Sequence, residues 1–122
     1  MTTFIAPTAK VGYNAHVYDH VRLYDEAQVS DYAQICGNAQ IFCNAKVSGY
    51  ARVNGHAMIS DCACVFGKAR IFGEAWVGNN AQVYGNAQIS GRVTISRDSI
   101  LEGDVTISSG RVSDVHWWRD IP

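Results

Sequence analysis

Gly37-Asn38-Ala39-Gln40-Ile41-Phe42-Cys43-Asn44-Ala45-Lys46-Val47 holds the pattern that decides the fold. A small residue is followed by a polar one, a branched aliphatic, one further residue and a two-residue link of corner-tolerant types. The spacing runs outward in both directions without a break. Ile5, Val11, Val17, Leu23, Val29, Ile35, Ile41, Val47, Val53, Ile59, Val65, Ile71, Val77, Val83, Ile89, Ile95, Leu101 and Ile107 stand six apart, eighteen positions filled only by Ile, Val or Leu. A second column, four residues after each, begins Ala9, Ala15, Val21, is alanine from Ala27 to Ala87, and ends Val93, Ser99, Val105. It holds thirteen of the fourteen alanines. Self-similarity at a fixed short period marks a repeat architecture.

Six is a multiple of the strand period of two and not of the helical 3.6, so each hexad is expected to be a short strand and a corner. The pairs between strands (Gly-Asn, Asp-Tyr, Gly-His, Cys-Asn, Gly-Lys, Gly-Glu) are types that accept positive φ. Each hexad reads as outward, inward, outward, a two-residue turn, then a small inward residue. Three such sides close a triangular coil of 18 residues with the branched column on its axis and alanine in its corners, where a larger side chain would not fit. The eighteen hexads make six coils, a prism roughly 29 Å long at about 4.8 Å per coil.

Gly37-Asn38-Ala39-Gln40-Ile41, Gly85-Asn86-Ala87-Gln88-Ile89 and Gly73-Glu74-Ala75-Trp76-Val77 resemble the hexapeptide-repeat proteins, most closely the loop-free members of phage and bacterial genomes that lack an assigned activity. The resemblance covers Phe4 to about Ser108. It implies a left-handed parallel β-helix; the handedness comes from the family and not from the spacing. The repeat is expected to occupy residues 1–108. After Ile107 the register position falls on the polar Ser113, so residues 109–122 read as a separate tail. An exposed end coil invites edge-to-edge stacking, and Trp117 and Trp118 are expected to cover it or to dock on a neighbour.

Ten Lys and Arg against eleven Asp and Glu give a net charge of −1, which argues against a nucleic-acid partner. No 18-residue apolar run is present, and the start, Met1-Thr2-Thr3-Phe4-Ile5-Ala6-Pro7, has no basic segment leading an apolar one. A cytoplasmic protein without a membrane association is therefore expected, with its four cysteines, Cys36, Cys43, Cys62 and Cys64, reduced.

Many proteins of the resembled family are acyltransferases, with a histidine base at a cleft between subunits beside an inserted loop and acetyl-coenzyme A along that cleft. This chain has no insertion. His16 lies on a face, His20 and His56 on one corner, and His116 in the tail; His20 and His56 are two coils apart, too far for a shared metal. No catalytic residue, metal or cofactor is expected. Cys43 and Cys62 occupy adjoining corner positions, with Asp25 and Asp61 in the column of Cys43, yet no short-spaced cysteine pair comes with matching histidines. Ice binding, another activity of the family, needs a threonine ladder; Thr94 and Thr106 fall on different sides.

Stepping by 18 assigns outward residues to sides. The first side displays Phe4, Arg22 with Tyr24, Gln40 with Phe42, Met58, Trp76 and Thr94. The axis is already filled, so Tyr24, Phe42, Met58 and Trp76 form an outward apolar ridge of the composition found at interfaces. Cross-strand stacking is the alternative use of such aromatics. The third side stacks Arg52 directly on Arg70, with Arg92 at the adjoining corner, a place for an anion or a partner's carboxylate. The resulting expectation is a non-enzymatic binding or assembly protein, a dimer or trimer with a protein partner. Its vocabulary resembles phage and mobile-element proteins, which makes inhibition of a host defence complex a specific version. A coenzyme-A-dependent acyltransferase working at a subunit interface is the alternative.

Overall fold

A computed structural model describes residues 3–113. Each aliphatic position of the six-residue period ends or centres a short strand. The first third of the chain gives β1 (Phe4–Ile5), β2 (Lys10–Val11), β3 (His16–Val17), β4 (Arg22–Leu23), β5 (Gln28–Val29) and β6 (Gln34–Ile35). Then follow β7 (Gln40–Ile41), β8 (Lys46–Val47), β9 (Arg52–Val53), β10 (Met58–Ile59), β11 (Cys64–Val65) and β12 (Arg70–Ile71). The last are β13 (Trp76–Val77), β14 (Gln82–Val83), β15 (Gln88–Ile89), β16 (Thr94–Ser96), β17 (Ile100–Leu101), β18 (Thr106–Ile107) and β19 (Arg111–Ser113).

Every third strand pairs, always in parallel. Three sheets result, ordered β1-β4-β7-β10-β13-β16-β19, β2-β5-β8-β11-β14-β17 and β3-β6-β9-β12-β15-β18. Partners lie 18 residues apart, as in Gln40↔Met58 and Arg52↔Arg70. The chain is thus an all-β parallel solenoid of about six triangular coils, and among the described residues it contains no helix.

The inward residues do what the two columns foretell. From Val21 to Leu101, every axial aliphatic and every corner alanine or valine is fully buried. Burying each branched side chain contributes about 1.5–3 kcal/mol. Ser99, the one polar member of the corner column there, is buried with its hydroxyl donating to the Ser96 carbonyl at 2.8 Å. Outward amides continue the ladder between coils, Gln40 N to Ala57 O at 3.0 Å and Phe42 N to Ile59 O at 3.0 Å, and the corner closes with Ala45 N to Phe42 O at 3.3 Å.

From Asp19 to Gly103 the first residue of each corner takes a positive φ; two of the three corners meet this demand mainly with glycine and the third without it. Between the third and first faces Gly37, Gly55, Gly73 and Gly91 stack coil on coil; a Cβ on Gly73 would stand 2.6 Å from Gly91 N. Between the first and second faces there is no glycine at this place. Asp25, Cys43, Asp61, Asn79 and Arg97 adopt φ of 55 to 59°. There the side chains turn along the axis and cap the next coil: Asp25 accepts from Cys43 N at 3.1 Å, Asp61 from Asn79 N at 2.9 Å, and Asn79 from Arg97 N at 2.9 Å.

The coiling does not end at Ile107. Strand β19 joins the first sheet beside β16 with partners 17 residues apart, Thr94↔Arg111 and Ile95↔Val112. One residue is dropped at the corner, where Gly110 takes φ 93°. That slip turns the polar Ser113 out of the axis and brings Val112 into it, 8% exposed. The described coils therefore run five residues beyond the expected boundary at 108. Trp117, Trp118 and His116 lie outside the described residues.

Candidate functional site

The first face is built by the sheet that starts at β1. On it Tyr24 follows β4 and Phe42 follows β7, so the two rings occupy one column on successive coils. Met58 and Trp76 pair directly in the column on the other side of the axial residues. Two small residues, Ser60 and Gly78, continue the column of Tyr24 and Phe42. The Trp76 indole swings across onto them: its Nε1 donates to Ser60 Oγ at 2.8 Å, and a Cβ on Gly78 would lie 3.2 Å from Trp76 Cε2. Ser60 is left 1% exposed under the ring. The indole thus fills the place where the column lacks a large side chain, and the apolar ridge runs unbroken from Tyr24 through Phe42 to the indole, with Met58 alongside. Tyr24, Phe42 and Met58 are half-buried and Trp76 is 38% exposed. Ser60 and Gly78 escaped the sequence reading. Their signal was two consecutive small residues, at steps of 18, beside a tryptophan.

Several other aromatics, and Tyr24 of the ridge itself, pair within the chain. Tyr32 and Tyr50 stack at 5.2 Å and 6°, Phe66 and Tyr84 at 4.6 Å and 7°, and Phe4 meets Tyr24 at 5.5 Å and 42°. Such pairs satisfy ring faces within the chain, the cross-strand use of aromatics. Among the described residues Phe42 and Trp76 belong to no ring pair.

On the third face Arg52 and Arg70 are register partners, as their spacing requires. Arg70 sets its guanidinium 5.8 Å from the centre of the Phe72 ring, a cation–π contact. Arg92 is engaged by a carboxylate of its own chain, Nε to Glu74 Oε1 at 2.8 Å, with both side chains largely exposed. An exposed pair of this kind adds little stability.

His20 and His56 line one groove with Arg22, Asn38 and Gln40, about 360 Å³ in volume. The corner column supplies one wall and β4 and β7 the other, so the groove borders the ridge. His16 stands apart on β3. An equivalent groove at the start of the second face is walled by Glu26, Asn44 and Cys62 of the corner and Gln28, Lys46 and Cys64 of β5, β8 and β11. Burial pushes the Cys64 thiol above its ordinary value, which disfavours the reactive thiolate. All four cysteines are free. Asp25 and Asp61, stacked with Cys43, spend their carboxylates on backbone N–H groups, and among the described residues no three His, Cys, Asp or Glu side chains form a metal-holding group.

Residues 87–103 match the family model of the YdcK beta solenoid repeat. This supports a repeat β-solenoid for that stretch. No curated protein and no solved structure matches the chain. Among the described residues no helix is long and apolar enough to cross a membrane.

Proposed function

We propose that the protein is a non-enzymatic binding scaffold that presents its first face to a protein partner. The observation that carries this reading is the continuity of the ridge: the Trp76 indole is hydrogen-bonded into the gap left by Ser60 and Gly78, and among the described residues no ring stacks on Phe42 or Trp76. A rigid prism holds these side chains at fixed spacing, so binding orders little and loses little entropy. Aromatics and methionine on a flat face suit the core of an interface. Inhibition of a host defence complex by a phage- or mobile-element-encoded member of the hexapeptide-repeat family is the specific form, supported by the likeness of the Gly-Asn-Ala-Gln-Ile hexads.

The test is to replace Phe42 and Trp76 by serine together and to measure solution mass and partner capture, with circular dichroism to verify the fold. Weakened assembly with unchanged ellipticity supports the reading; unchanged mass and unchanged capture end it. A coenzyme-A-dependent acyltransferase is the second reading, favoured by the two imidazoles in one groove. Acetyl transfer to sugar, amino and hydroxyl acceptors that is abolished by His20→Ala or His56→Ala, with the fold intact, would replace the scaffold reading with it.

A further inference from the structure

The groove beside the ridge has a composition that says what kind of partner segment the face takes. Among the described residues its walls are His20, Arg22, Asn38, Gln40 and His56, all able to donate hydrogen bonds and none a carboxylate. The backbone amides of His20, Asn38 and His56 are already spent on the carbonyls of Gly37, Gly55 and Gly73, so what the groove offers a ligand is side chains, those of Arg22, Asn38, Gln40 and His56. Arg22 and Gln40 belong to the same strands that lead into Tyr24 and Phe42. These two coils each carry a donor on the groove side and an aromatic ring on the ridge side, with one buried aliphatic residue, Leu23 or Ile41, between them. Arg22 lies near enough to its own ridge neighbour for Nη1 to stand 3.5 Å from the Tyr24 hydroxyl.

We infer that this face recognises an acidic, aromatic-rich segment of another protein, lying along the solenoid axis. Its carboxylates enter the groove and its apolar side chains cover the ridge. Guanidinium and amide donors form short, strong hydrogen bonds with carboxylates. Among the described residues the groove walls hold no carboxylate, and Glu74, which continues the column of His20, Asn38 and His56, is already paired with Arg92, so an acidic ligand meets little like charge in the groove while a basic segment would meet Arg22. The groove volume, 360 Å³, suits a few side chains and not a whole domain. This inference rests on the first face being the binding face, and goes beyond it in assigning the partner's chemistry.

The test uses the full chain and two fluorescently labelled octapeptides, one alternating Glu and Phe, the other alternating Lys and Phe, followed by fluorescence anisotropy. The Glu peptide is expected to bind at least about tenfold more tightly than the Lys peptide. Arg22→Glu combined with Gln40→Glu is expected to reverse that order, and both positions are outward, so the fold should persist; Arg22→Gln alone serves as a milder variant. Phe42→Ser with Trp76→Ser is expected to weaken both peptides. If the ridge variant weakens both peptides equally while charge in the peptide and groove makes no difference, the acidic-partner inference is overturned and the binding face stands. If groove substitutions act while the ridge variant has no effect, the binding-face reading falls and this inference, which rests on it, falls too. A flat anisotropy trace for both peptides overturns the inference, and a dimeric mass in that sample identifies a second copy as the occupant of the face.

Discussion

Replacing Gly73 by alanine is expected to separate two demands that the corners place on the chain. Gly73 holds φ +70°, and a Cβ there would stand 2.6 Å from Gly91 N, a backbone atom that cannot swing aside. The left-handed conformation alone costs an L-residue about 1–2 kcal/mol. Bringing the contact from 2.6 Å to the 3.4 Å of ordinary packing requires the coils to part by about 0.8 Å, a large fraction of the slack between strands about 4.8 Å apart. Parting strains the bond from Glu74 N to Gly91 O, now 2.8 Å, and a weakened backbone bond loses about 0.5–1.5 kcal/mol. The total for Gly73→Ala is then about 1.5–3.5 kcal/mol. Gly103 is the internal control: its φ is +77°, and among the described residues nothing lies within 4 Å of the Cβ position. Gly103→Ala should lose only the conformational part, about 1–2 kcal/mol. Gly73→Asp should lose less than Gly73→Ala, because Asp19 shows how a carboxylate at this corner accepts the N–H of the next coil, Gly37, at 3.1 Å. Urea unfolding followed by circular dichroism reads the three variants against the parent. Equal losses for Gly73→Ala and Gly103→Ala would refute the claim that coil spacing, and not φ alone, selects glycine.

Other outcomes follow from the same packing. Ala51 is fully buried in its corner and Arg52 beside it is exposed, so Ala51→Leu should destabilise by about 1–3 kcal/mol through overpacking while Arg52→Ala stays within about 0.5 kcal/mol, measured by urea midpoints. The Tyr84 phenol is raised above its ordinary value by its hydrogen bond to Glu102 first and by desolvation second. A value raised by folding means that this stabilisation is complete below the unfolded value of about 10 and is lost as pH climbs through the folded one. Stability should therefore fall at high alkaline pH, and Tyr84→Phe should flatten that fall. Cys62 is exposed while Cys64 is half-buried with its thiol pushed up by burial, so peptide mapping after brief alkylation at pH 8 should find Cys62 modified before Cys64.

The coil architecture was legible because every link speaks at once: the axial column fixes the strands, the alanines fix the corners, and the 18-residue step fixes the register. The face assignments of Tyr24, Phe42, Met58 and Trp76 followed from the same step. Three things were not legible. The seat of the Trp76 indole on Ser60 and Gly78 is a rotamer choice across columns, and a period says which way a side chain leaves the backbone without saying where its end comes to rest. The continuation through Arg111–Ser113 breaks the period by one residue, so a strict register lands on Ser113 and misses Val112. The grouping of His20 with His56 was judged by their separation along the axis. The groove that joins them exists because Asn38 and Gln40 lie between and beside them.

The central claim is that the first face is the one that binds, and side-chain oxidation footprinting reads it residue by residue. Hydroxyl-radical labelling of the dilute free chain would be compared with that of the chain carrying its partner, be that a second copy in concentrated solution or the alternating Glu/Phe peptide. Tyr24, Phe42, Met58 and Trp76 should become protected, while Tyr13, Tyr32 and Tyr50, exposed at the corner between the second and third faces, should be labelled as before. Protection confined to Tyr13, Tyr32 and Tyr50, or equal labelling of the ridge in both states, would contradict the account.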